Sequence, residues 1–127
     1  MKRKTFITSA DLVAAAGLPF GEEVQQKKLR HQVFFWLKNP DSGDDKQELI
    51  KGLQTLAAIP VVKQLRIGVP ATTEKRDVVD NSWQVSEMML FDSLDDQKFY
   101  QEHPLHLAFV KQFSHLWQRV VVYDIME

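Results

Sequence analysis

The sequence predicts an α+β domain of the ferredoxin-like, split βαβ type: a four-stranded antiparallel sheet with helices on one face. Three observations predict it. Four segments, near residues 29–37, 61–69, 83–91 and 119–126, show the period-two alternation of strands. Two others, near 44–57 and 93–116, place apolar residues at helical spacing. The strands are also bulky and apolar on both sides, although helices in this order can cover only one.

The first strand places His31, Val33, Phe35 and Leu37 on one face and Gln32, Phe34 and Trp36 on the other. Asn39-Pro40-Asp41-Ser42-Gly43-Asp44 is a turn. The helix that follows buries Leu49, Ile50, Leu53, Leu56 and Ala57, and Asp44 and Asp45 suit its positive N-terminal end. Ile59-Pro60 stops it. In the second strand Val61, Lys63, Leu65, Ile67 and Val69 share one side. Residues 70–82 are polar and read as a mobile surface loop. In the third strand Trp83, Val85, Met89 and Phe91 share a side with Glu87.

Ser93-x-x-Asp96 is a capping-box start for a helix that carries Leu94, Phe99 and Tyr100 and ends near His103. Pro104 suits the first turn of a new helix, whose expected buried stripe is Leu105, Ala108, Phe109, Phe113, Leu116 and Trp117. Val120, Val121, Val122, Tyr123 and Ile125 make the last strand. Phe34, Trp36, Met88 and Leu90 then form a second apolar face that a lone chain leaves exposed. We expect a homodimer that closes two such sheets face to face into a barrel.

The totals bound the rest. A chain of 127 residues, 44% hydrophobic and 26% charged, is one domain of ordinary globular composition. Its net charge of −1 points to neither nucleic acid nor an anionic membrane as partner. It contains no cysteine, which removes disulfides, thiolate nucleophiles and cysteine-ligated metal centres. No apolar run is long enough to span a bilayer. Residues 1–28 are read as an N-terminal extension and 29–127 as the main domain. Lys2-Arg3-Lys4 and the Ala-rich stretch behind it resemble a degenerate twin-arginine export signal. Against that, Asp11 puts a carboxylate inside the apolar region. The alternative is a short helix capped by Ser9 and ended by Gly17 and Pro19. A cytoplasmic location is expected, with export the alternative.

Chemistry is concentrated at two junctions. Of four histidines, two lie in the run Tyr100-Gln101-Glu102-His103-Pro104-Leu105-His106, and His31 opens the first strand. A His-Pro-x-His corner has a structural reading: His103 caps the helix and His106 bonds a backbone carbonyl. It also has a functional one, in which the corner turns Tyr100 and His106 towards one cavity and His31 completes it.

Arg30-His31-Gln32-Val33-Phe34-Phe35-Trp36-Leu37-Lys38, Ile59-Pro60, the Tyr-x-x-His-Pro-x-His run and the closing Val120-Val121-Val122-Tyr123-Asp124 resemble the stress-responsive α/β-barrel (Dabb) family over about 29–126. The resemblance implies a ferredoxin-like fold and a dimeric α/β barrel. In the olivetolic acid cyclase-like branch it implies an intramolecular aldol condensation of a poly-β-keto thioester. Carried over residue by residue, it makes Tyr100 and His106 catalytic and adds His31. Such chemistry needs a base and a donor for the oxyanion, roles that fit His106 and Tyr100, with His31 orienting. The ligand is a small molecule of unidentified structure, and no cofactor is expected.

Two other classes compete. One is a non-catalytic, stress-responsive ligand-binding protein. The other is a haem-binding or monooxygenase-like barrel, with His31 or His106 as axial ligand among Trp36, Phe35 and Phe109. His103 and His106 lack the supporting spacing of a metal site, and no metal is expected. His115 reads as a cation at a helix end. Glu87 either pairs with Arg66 across two strands or lines the cavity as an acid, and pairing is the expectation.

Overall fold

The structure, a computed structural model, describes residues 27–127. The expected N-terminal helix or export signal lies outside these residues. The elements are β1 (Leu29–Leu37), α1 (Gly43–Gln54), β2 (Lys63–Gly68), β3 (Val85–Phe91), α2 (Leu94–Glu102), α3 (Pro104–Phe113) and β4 (Trp117–Met126). Single 3₁₀ turns at Thr55–Ala58 and Ser114–Leu116 follow α1 and α3. The sheet order is β2-β3-β1-β4 and every pairing is antiparallel, as the split βαβ order requires.

β1 is central, with His31 opposite Met89 on one side and Asp124 on the other. Its alternation sends Val33, Phe35 and Leu37 inward, where they meet Val85, Met89 and Phe91 of β3. α1 contributes Leu49 and Leu53, with Leu56 just behind them fully buried, whereas Ala57 is exposed. Ser42 and Ser93 cap α1 and α2 by accepting from the Asp45 and Asp96 amides, both at 3.1 Å. The end of the chain is tied to β1 by the Lys28–Glu127 backbone pair and by Arg30, which holds both Glu127 carboxylate oxygens at 3.0 Å.

Three expectations need correcting, for β2, Trp83 and the first turn of α3. In β2 the plain alternation fails: Gln64 has φ 53°, and the register with β3 shifts between Lys63 and Arg66. That is a bulge, and it leaves only Leu65 and Ile67 half-buried inward. Trp83 precedes β3 rather than belonging to it. Its indole N–H donates to the Asp80 carbonyl and its ring packs on Phe34, on the opposite face from Val85. Leu105 and Ala108 are exposed, because the first turn of α3 presents His106 rather than Leu105 to the interior. The 70–82 loop is exposed, and its end is pinned by Ser82, which accepts from the Trp36 indole at 2.9 Å and bonds Asp80.

Candidate functional site

Between the sheet and helices α2 and α3 lies a cavity of about 180 Å³. Its floor is the inward row of β1 (His31, Val33, Phe35), Glu87 of β3, and Val120 and Val122 of β4. Its roof is Tyr100 and Gln101 of α2 and His106, Phe109 and Val110 of α3, with Trp117 at one end. The three residues singled out in the sequence therefore meet. The Tyr100 ring lies 4.7 Å from that of His106 and 5.7 Å from that of His31, centroid to centroid.

The corner between α2 and α3 produces this convergence. His103 ends α2 in an extended conformation, and its Nδ1 accepts from the Leu105 amide at 3.0 Å. Pro104 at the first helical position needs no amide partner there. So His103 is the cap, and its ring rests on Phe99 rather than in the cavity. The same corner turns His106 back over α2, where Nδ1–H donates to the Gln101 carbonyl at 3.0 Å. That bond fixes the tautomer: the neutral ring keeps its basic lone pair on Nε2. Both structural roles foreseen for the corner are present, and both help to build the cavity.

Electrostatics divide the polar groups into donors and a base. Burial holds the His106 imidazolium below its usual range, the Gln101 carbonyl partly opposes this, and His31 adds to the lowering. His106 is thus the neutral base form near pH 7. Burial, with the Glu87 carboxylate nearby, drives the Tyr100 hydroxyl far above its usual value, so it stays a donor. His31 is buried, and its Nδ1–H donates to Asp124 Oδ1 at 2.6 Å. The bond holds the ring in place from the neighbouring strand.

Glu87 overturns an expectation. It does not pair with Arg66, which faces Met88 across the sheet, while Glu87 lies opposite Ile67. Its side chain points into the cavity, 2% exposed, and among the described residues its Oε1 is the one buried side-chain oxygen or nitrogen without a hydrogen-bond partner. Desolvation pushes its carboxyl up to about 8.

Asp124, the hydrogen-bond partner of His31, is the neighbour that sequence reasoning missed, although it closes the last strand's motif. Trp36 lies on the other face of the sheet, near Ser82 and Arg119, so the imagined haem pocket loses that wall. Among the described residues no three His, Asp or Glu side chains are grouped to hold a metal ion. No described helix is long and apolar enough to cross a membrane.

Similar proteins agree on the fold. No curated protein matches the chain. Among solved structures, a hydroxynitrile lyase from Passiflora edulis superposes with a TM-score of 0.69 at 23% identity, over 81% of this chain and 95% of that one. A dimeric ferredoxin-like protein of unknown function from Thermobifida fusca gives 0.65 at 22% identity, over 81% and 93%. A Dabb family protein from Mesorhizobium loti gives 0.64 at 22%, over 79% and 96%. Residues 29–127 match the stress responsive A/B barrel domain, and the chain belongs to that family.

Proposed function

We propose that the cavity is a small-molecule pocket that promotes proton transfer, of the aldol type, on a carbonyl compound. One observation carries the reading: a base whose tautomer is fixed and a buried phenol converge ring to ring on one apolar-walled space. His106 Nε2 takes the proton beside the carbonyl. Tyr100 donates to the oxyanion that forms, in surroundings where low polarity strengthens the bond. His31, held by Asp124, is a positioning residue beside Tyr100. A hydroxynitrile lyase is built on the same fold, which places lyase chemistry within its reach without assigning it here.

The reading includes a homodimer. The uncovered face carries Phe34, Trp36, Met88, Leu90 and Tyr123, all at least partly exposed in one chain. Structural relatives are described as dimeric, and a second sheet laid on this face removes the apolar patch from water.

The test begins with mass spectrometry of small molecules released from freshly purified protein. The compound found, or a carbonyl analogue of it, is then followed for deuterium uptake beside the carbonyl. His106→Ala is expected to slow uptake about a hundredfold, the usual contribution of a general base. The rate in the wild type should rise with pH through a value below the ordinary histidine range and then level off. A loss of less than about threefold removes His106 from the role.

A further inference from the structure

Glu87 is not needed by the proton transfer just described, yet it occupies the floor of the same cavity. Its surroundings are unusual for a glutamate. From β1 it faces His31, which is already bonded to Asp124 of β4. From α2 it faces Tyr100 and from α3 His106, whose Nδ1–H is committed to Gln101. Among the described residues no lysine or arginine lines the cavity. Among the described residues an ionised Glu87 therefore has no cation to pair with, and as an acid its Oε1 has no partner. A buried polar atom left unpaired is costly, and it persists where something else supplies the bond.

We propose that Glu87 is a second hydrogen-bond donor of the cavity, its carboxyl O–H donating to a carbonyl oxygen of the occupant, and that the occupant is an uncharged compound with an apolar body. This rests on the reading of the cavity as a small-molecule pocket. Two buried donors face the space, Glu87 from the floor and Tyr100 from the roof, and one base, His106, stands beside Tyr100. Such a set matches an acceptor-rich, neutral ligand. An organic anion finds no fixed cation among the described lining residues, and an ammonium ligand must ionise Glu87 in an apolar space while still opposing the Tyr100 donor. The burial that pushes the carboxyl up to about 8 keeps the proton in place at neutral pH.

The probe is acetophenone labelled with ¹³C at the carbonyl, since a cavity of about 180 Å³ accommodates a single ring with a short substituent. Binding to the full chain is followed by NMR at about pH 6.5 and about pH 9.5, on either side of the raised carboxyl. The bound carbonyl signal is expected to move downfield, as donation to the oxygen requires. Wild-type affinity should fall about tenfold at the higher pH, the size of one hydrogen bond from a strong donor. Glu87→Gln supplies an amide donor and should keep the affinity while losing the pH dependence. Glu87→Met should lose about tenfold at the lower pH and be flat thereafter.

Wild-type affinity in Glu87→Met overturns the proposal. So does a pH dependence that survives in Glu87→Gln, preferred binding of benzylamine, or no binding of the ketone by wild type. Deuterium uptake is read separately. Glu87-dependent ketone binding with uptake indifferent to His106 removes the base and leaves the donor. The reverse result removes the donor and leaves the base.

Discussion

The two faces of the central strand make an instructive pair. Inward, His31, Val33, Phe35 and Leu37 are each 6% exposed or less. Outward, Gln32, Phe34 and Trp36 are only half-buried. Both rows are rich in large apolar groups, and hydrophobic alternation marks both for burial. They depart from ordinary chemistry in opposite ways. The inward face buries polar groups: an imidazole, a phenol and a carboxyl with an unpartnered oxygen. The outward face exposes apolar ones, with Phe34 edge-on to Trp83 and Tyr123 and the Arg119 guanidinium 4.3 Å over Trp36. Buried polarity points to a ligand, and exposed apolarity points to a protein surface. On the proposed reading the same strand serves a pocket with one row and a dimer surface with the other, separated only by the parity of residue number.

The largest expected effect breaks the inward side of this comparison. Below about pH 4.5 Glu87 carries its proton in both the folded and the unfolded chain. As pH rises towards about 8, the unfolded chain releases that proton and the folded one keeps it. The native state binds the extra proton, so stability falls with rising pH through this window and levels off above it. Glu87→Gln removes the dependence. Urea unfolding near pH 9 should show the variant more stable by on the order of 4 kcal/mol, with the difference vanishing below about pH 4. Parallel curves for the two proteins across this range would mean that the carboxyl is not buried as an acid.

The outward side is broken by Phe34→Asp, which places a carboxylate in the centre of the aromatic group. Association of the proposed dimer is expected to weaken about a hundredfold or more, as for a central interface residue. Sedimentation should show a monomer where wild type shows a dimer. Because Phe34 does not touch the cavity, ketone binding by the isolated chain should persist. A wild type that is already monomeric at micromolar concentration sinks the dimer, and the open face then needs another explanation.

The contrast between faces also shows what could be read beforehand. Alternation located β1 and both its rows, the Ser93 cap located α2, and Pro104 located the corner. Those signals are local, and the structure repeats them. The convergence of Tyr100 and His106 was legible for the same reason, since they lie only six positions apart. Asp124 was not, because its bond to His31 spans 93 positions and depends on strand register. The Glu87–Arg66 pairing was wrong for a reason available in the sequence. Glu87 shares parity with Val85 and Met89, and Ile67 rather than Arg66 has the apolar parity of β2. Trp83 failed differently: parity has no meaning before a strand begins, and β3 begins at Val85. The bulge at Gln64 left no signal, because a glutamine with positive φ is uncommon.

The smallest expected effect sharpens the comparison by asking how tightly the helix layer holds the inward face. α1 contains two glycines in contrasting settings. A methyl group added at Gly52 meets the Phe113 ring of α3 at 2.7 Å, whereas one added at Gly43 meets nothing within 4 Å. Alanine favours a helix over glycine by about 1 kcal/mol, so Gly43→Ala, at the first turn, should be neutral or slightly stabilising. Gly52→Ala gains the same preference and loses more to the clash, for a net destabilisation of about 1–2 kcal/mol. Phe113 must shift, and its neighbour Phe109 both lines the cavity and stacks on Trp117 at 5.7 Å. Thermal unfolding of the two variants side by side checks the sign, and ketone affinity in Gly52→Ala checks whether the disturbance reaches the pocket. Equal stability for the two alanines would show that α1 and α3 can slide apart, and that the cavity is shaped by the sheet and the His103–Pro104 corner rather than by the helix pair.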